Sequence, residues 1–277
     1  MTESAPSPVP SPIEASDRVL VAGATGGVGQ LTVGKLVEHK IPVRAMTRER
    51  SKAERMFDDR VEIAIADTRT PKTLESAMKG VTHIICCTGT TAFPSERWEF
   101  DLSGQSELEK IITWARLIVD QEYRMSLAHN GPQQVDCEGV KALVNAAPAD
   151  LKRFILVSSI GVTRRTKPPF SILNAFGVLD AKVKGEDAVI QSELPYTIVR
   201  PGRLIDGPFT SFDLNTLLKA TTDGKRGVVI GTGDLLNGDT SRIDVAAACV
   251  VALKDSQTQG KLFEIISRGD RPKSIDW

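Results

Sequence analysis

Three features of the sequence predict an α/β fold built on a doubly wound parallel sheet. From Arg18 onward, short apolar runs alternate with segments of helical periodicity. The runs are nearly continuous in apolar residues, as expected of strands buried on both faces. The first run ends in a turn whose glycines recur every third residue, "VLVAGATGGVGQ". Right-handed crossovers between parallel strands then wind the sheet both ways and place ligands beyond the C-terminal ends of the strands.

Each element has its own local reason. Residues 19–22 are a buried strand, and 27–38 carry helical periodicity. A second strand covers 43–46, followed by a charged helix starting near Ser51, and a third covers 61–65. Pro71 opens the next helix, since a first helical residue needs no N–H donor. Residues 82–87 form the fourth strand. Regularity breaks over 90–131, which read as an insertion with one helix at 108–119, lying over the C-terminal edge of the sheet. Trp98 and Trp114 there either line a substrate lid or pack within the insertion. Order returns with the helix "QQVDCEGVKALVNAA", the strand "RFILVSS", a helix over 174–192 and the strand "PYTIVRPG". A small C-terminal, substrate-side lobe is expected near 203–240, with a short helix near 214–220. A helix at 243–253 and a strand at 261–266 complete the pattern.

Composition bounds the rest. Apolar and charged fractions of 41% and 25% are those of an ordinary water-soluble domain, and the formal net charge of zero argues against nucleic acid or an anionic membrane as main partner. No apolar run reaches the length of a transmembrane segment. Residues 1–17 are rich in Pro, Ser and Ala, with two glutamates and no arginine, and read as a disordered tail rather than a signal or transit peptide. Cys86, Cys87, Cys137 and Cys249 lack metal-site spacing and read as reduced thiols, which suits a cytoplasmic location. His39, His83 and His129 likewise lack ligand spacing, so no metal is expected.

The glycine turn carries the chemistry. Gly23 permits a tight strand-to-helix turn, Gly26 lets the backbone approach a pyrophosphate, and Gly29 lets the helix pack closely. With Thr25, Gly27 and Val28 they form a Rossmann-type dinucleotide loop, the helix N-terminus supplying free N–H groups. The second strand ends in "TRERSK", where an NAD-selective site would place an acid; the nearest, Glu49, lies between two arginines. A guanidinium is the natural partner of a 2′-phosphate, so Arg48 predicts NADP(H). The competing reading is a solvated basic helix start. Asp67 and Thr68 follow the third strand, where adenine is read. Cys87 ends the fourth strand, close to the expected nicotinamide side of the crevice, and Thr88 and Gly89 follow it, near the expected path of the ribose.

Together these residues resemble the short-chain dehydrogenase/reductase superfamily in its atypical, NmrA-like branch. "GATGGVG", "QVDCEGVKALVNAA", "RFILVSSIG", "KVKGEDAVIQSELPYTIVRPG" and "SRIDVAAACVVAL" look like its consecutive blocks. "SSIGVT" and "YTIVRPGRLIDGP" are similar to the plant and cyanobacterial Tic62-type NADP-binding proteins. The resemblance implies catalytic roles for Ser159 and Lys182, with Lys182 also on the nicotinamide ribose, and a cofactor contact at Pro201. It also implies a tyrosine four residues before Lys182, where this chain has Val178. Valine cannot donate the proton that carbonyl reduction needs. Two functions follow. One is an NADPH-dependent oxidoreductase acting on a small organic acceptor, such as a quinone or enone, that needs no strong protein acid. The other is a non-catalytic NADP(H)-sensing regulatory or docking protein with a protein partner.

Overall fold

The computed structural model describes residues 13, 14, 16–93, 98, 104, 106–120, 123, 127–206, 213–219 and 226–270. Ten strands lie among them: β1 Val19–Ala22, β2 Val43–Thr47, β3 Val61–Ile65, β4 His83–Cys86, β5 Arg153–Val157, β6 Tyr196–Pro201, β7 Arg203–Leu204, β8 Val228–Gly231, β9 Asp239–Thr240 and β10 Lys261–Ser267. Eight form one sheet in the order β3-β2-β1-β4-β5-β6-β10-β8. All neighbours in it are parallel except β8, which runs antiparallel along β10. The two short strands β7 and β9 pair with each other.

The sheet is covered on both faces because successive side chains alternate. Val19 and Val21 of β1 enter one apolar cluster and Leu20 and Ala22 the other. In β5, Ile155 and Val157 divide from Phe154 and Leu156 in the same way. Helices Gly27–Glu38 and Arg242–Lys254 cover the first face. Helices Leu74–Met78 and Gly139–Ala146 cover the second. Burying each large side chain contributes about 1.5–3 kcal/mol, so these two layers are the main source of stability. The strand order reverses between β1 and β4, which opens a crevice at their C-terminal ends.

Several expected boundaries move for physical reasons. Gly177 has φ +76°, a left-handed conformation that breaks the helix expected over 174–192, so the helix is Val178–Gln191. Pro71–Thr73 is a 3₁₀ turn leading into Leu74–Met78. The insertion helix, Glu107–Val119, begins at a capping box: Ser106 and Glu109 satisfy each other's backbone N–H. Of the expected tail, residues 1–12 and 15 lie outside the described residues. Ile13 packs on the first cluster and Asp17 is buried, so the packed body starts before Arg18.

Candidate active site

The glycine turn sits at the switch point, and its geometry explains the spacing. Gly23 has φ +75°, and a side chain there would meet the backbone of Cys87 and Thr88 at 3.0–3.1 Å. A Cβ at Gly29 would lie 2.1 Å from the Gly23 carbonyl oxygen, so only glycine lets the helix start against the loop. The N-cap of that helix is Gly26, and no side chain caps the helix there. Its first N–H groups therefore remain free to meet an anion.

A cleft of about 410 Å³ opens over this turn. Gly23, Thr25, Gly26, Gly27, Arg48, Asp67, Thr68, Cys87, Thr88 and Gly89 all line it, so the structure brings together ten residues selected from the sequence. Val28 does not line it: its side chain packs in the core. Nor do Gly29, Ser159, Lys182 and Pro201. Gly29 lies behind the loop. The carbonyl of Pro201 accepts the Ile160 N–H at 3.0 Å, tying the ends of β5 and β6 together. Ser159, half-buried just past β5, donates its hydroxyl to the Ile160 carbonyl at 3.0 Å.

Charge is distributed unevenly along the cleft. At the end formed by β2 and β3, Arg48 is exposed, and Thr25 and Thr47 share a hydroxyl contact of 3.3 Å. Arg69, which the sequence reading missed, also lines the cleft and grips Asp67 through Nε and Nη2, the latter at 2.6 Å. Burial would raise the Asp67 pKa, but hydrogen bonds from Arg69 and the charges of Arg69 and Arg48 hold it below its usual 3.8. Asn130, also missed, accepts from both arginines on one side-chain oxygen.

At the β4 end, Lys182 comes within reach from the helix Val178–Gln191. Its Nζ meets Oδ1 of buried Asp136 at 2.7 Å. Oδ2 of Asp136 accepts the Thr90 N–H at 3.1 Å and the Thr90 hydroxyl at 2.5 Å. The pair lies directly behind Gly89, where an added Cβ would sit 3.2 Å from Asp136 Oδ1 and 3.4 Å from Lys182 Nζ. Gly185 makes this possible, because a Cβ there would strike the Asp136 carbonyl oxygen at 2.3 Å. Asp136 belongs to a π-helical segment, Gln133–Glu138. Burial pushes the Cys87 thiol well above 9.0, with Cys249 and Cys86 adding to the effect, so Cys87 stays protonated at neutral pH. Val178 is buried among Ile160, Val162, Phe170 and Leu179.

A free helix N-terminus, a backbone open at Gly26 and Gly27, and cations at one end fit a dinucleotide with its charged phosphates. Comparison with known proteins agrees. A model of the NAD(P)H-binding family matches residues 23–256. Sanguinarine reductase of Eschscholzia californica is 30% identical over 269 residues, 93% of this chain and 90% of that protein. The chloroplastic protein TIC 62 of Pisum sativum is 30% identical over 275 residues, which cover 92% of this chain but 43% of that protein. The chain therefore spans less than half the length of TIC 62. Among solved structures, ChuY, an anaerobillin reductase from Escherichia coli O157:H7, matches with a TM-score of 0.62 at 19% identity, covering 92% of this chain and 99% of that one. That likeness establishes the Rossmann-type fold alone. Matched along most of its length and built around a glycine turn at the switch point, the chain belongs to the NAD(P)H-binding family.

Proposed function

We propose that the chain is an NADPH-dependent oxidoreductase of the atypical, NmrA-like short-chain dehydrogenase/reductase type, acting on a small organic acceptor. One observation carries the cofactor choice. Arg48 leaves β2 directly into the cleft beside the Thr25 and Thr47 hydroxyls, and among the described residues no carboxylate pairs with it. A 2′-phosphate would fill that need with charge-assisted bonds. The free N–H groups after Gly26 would hold the pyrophosphate, and Asp67 and Thr68 would border the adenine.

When bound, the reduced dinucleotide supplies hydride. The protein's own part is to position the acceptor and steady its oxygen. Ser159 would turn its hydroxyl from the Ile160 carbonyl to the acceptor. Lys182, oriented by Asp136, would bind the nicotinamide ribose. Val178 offers no proton, so the reading favours acceptors that need no strong protein acid. Its support is the likeness to a named reductase along nine-tenths of both chains. Four free thiols suit a reducing, cytoplasmic-type compartment.

A second reading, an NADP(H) sensor without turnover, draws on Val178 being packed into an apolar cluster with no hydroxyl in its place. Equilibrium binding of NADPH, NADP⁺, NADH and NAD⁺ tests the cofactor, and a quinone and enone panel tests turnover. The expected result is preference for the phosphorylated pair, with Arg48→Ala weakening NADP⁺ by roughly tenfold or more and NAD⁺ little. Equal affinity for NADH and NADPH would refute the assignment. NADPH binding without consumption of any acceptor would favour the sensor.

A further inference from the structure

Arg48 and Arg69 reach the same point from different strands. Arg48 leaves the end of β2, and Arg69 leaves the loop after β3. Both donate through Nη1 to the side-chain oxygen of Asn130, Arg48 at 3.1 Å. Arg69 Nη1 also donates to the His129 carbonyl at 3.0 Å. Asn130 is buried and lies where the chain returns from the insertion, its N–H bonded to the Trp98 carbonyl at 3.2 Å.

This arrangement is electrostatically incomplete. Two cations converge on one neutral oxygen. Asp67 pairs with Arg69, and among the described residues no carboxylate pairs with Arg48. An amide oxygen is a weak partner for two guanidinium groups, whereas a phosphate brings negative charge and three acceptor oxygens. The amide holds the position that a phosphate would take most favourably.

We propose that Asn130 competes with the dinucleotide's 2′-phosphate for Arg48 and Arg69, and so sets how strongly the protein prefers NADP(H) over NAD(H). Arg69 is then the second cation of the phosphate site. The proposal rests on the NADP(H) reading above and adds two specificity-determining residues to it. It also makes the insertion part of cofactor selection, because the Trp98 carbonyl within it holds the Asn130 backbone.

The test is isothermal titration of the full chain and two variants with NADP⁺ and NAD⁺, beside thermal unfolding of each. Asn130→Ala removes the competitor, and NADP⁺ should bind about threefold tighter or more while NAD⁺ is unchanged. Asn130→Asp is nearly isosteric and places a carboxylate between the two guanidinium groups. It should weaken NADP⁺ by roughly tenfold or more, leave NAD⁺ within about threefold, and raise the unfolding temperature. That combination separates competition from damage to the fold. If wild type prefers NADP⁺ and Asn130→Asp leaves that preference intact, the competition is refuted while the cofactor reading stands. Equal weakening of both dinucleotides by Asn130→Ala also refutes it. If wild type shows no preference for NADP⁺, the cofactor reading itself fails and this proposal with it.

Discussion

The two ends of the parallel strands treat charge in opposite ways. At the N-terminal end, charged groups close on one another. Asp17 meets Lys152 at 2.7 Å, and Arg44 meets Glu62 at 2.8 Å while donating to the carbonyls of Ala77 and Lys79. Arg153 spends its guanidinium on the carbonyls of Ala252 and Asp255 at the end of the helix Arg242–Lys254, where a cation also suits the helix dipole. At the C-terminal end Arg48 and Lys52 face the cleft, and no carboxylate among the described residues pairs with either. The charges named at the N-terminal end are closed within the fold. At the C-terminal end Arg69 is closed on Asp67, but Arg48 and Lys52 are left open to the cleft. Changes at the N-terminal end should therefore move unfolding and leave binding alone, and changes at the cleft should do the reverse.

The Lys182–Asp136 pair should break that division most sharply. It lies at the C-terminal end, yet it is closed like the pairs at the other end and more deeply buried than they are, with side-chain exposures of 13% and 1% against 48% for Lys152 and for Glu62. Removing one partner of a buried pair leaves the other charge uncompensated, which costs about 3–5 kcal/mol. Lys182→Met should lower stability by that amount in urea unfolding, beyond any effect on turnover. Asp136→Asn in the same background should recover much of the loss. A Lys182→Met protein as stable as wild type would show that the pair serves the cleft alone.

His83 provides the next largest effect, at the N-terminal end. Burial drives its pKa down to about 4, with the positive charges of Lys152 and Arg153 assisting and Asp17 opposing. The folded protein thus refuses a proton that the unfolded chain accepts below its ordinary value of 6.5. Stability is full above that value and falls as the pH drops toward 4, by on the order of 3 kcal/mol in total. In His83→Gln, unfolding midpoints between these pH values should flatten relative to wild type. Dinucleotide affinity at pH 7.5, a condition of roughly neutral imidazole in both proteins, should be the same. A change in affinity would show that the two ends are coupled through β4.

How much of this was legible in the sequence follows the range of each interaction. The parallel strands of the main sheet and the glycine turn were, because each depends on residues next to one another: an apolar run, a turn, a helix start. β8 was not, since three of its residues are only partly buried, Ile230 is exposed, and the strand pairs antiparallel at the sheet edge, without the dense apolar signature of the inner strands. The π-helical segment at Gln133–Glu138 keeps helical periodicity, so its altered register left no mark. Arg48 could be placed at the cleft from the sequence because it directly follows the second strand of the dinucleotide-binding half. Arg69 and Asn130 were missed because their meeting joins positions 61 residues apart through an insertion with no recognisable pattern. Asp136 lay in plain view within "QVDCEG", but only Gly185 on another helix brings its partner, Lys182, close.

The smallest effect tests the comparison at its finest point. Lys52 lies in the first turn of the helix Arg50–Met56, which has no acidic residue in that turn. A cation there opposes the positive end of the helix dipole and costs a few tenths of a kcal/mol. Among the described residues no carboxylate pairs with Lys52, and the side chain lines the cleft with Arg48. A cation so placed is positioned to act on an anion in the cleft. Lys52→Ala should therefore leave the unfolding temperature unchanged or slightly raised. NADP⁺ should bind roughly two- to fivefold more weakly, by less than Arg48→Ala causes, because an ammonium at this range acts as a screened point charge rather than a two-toothed ligand. The loss should shrink as salt is raised from about 0.05 to 0.5 M, whereas the loss from Arg48→Ala should persist in part, since its direct hydrogen bonds are screened less. If Lys52→Ala instead destabilises the protein and spares NADP⁺ binding, the lysine belongs with the stability charges, and the open end of the cleft reduces to its arginines.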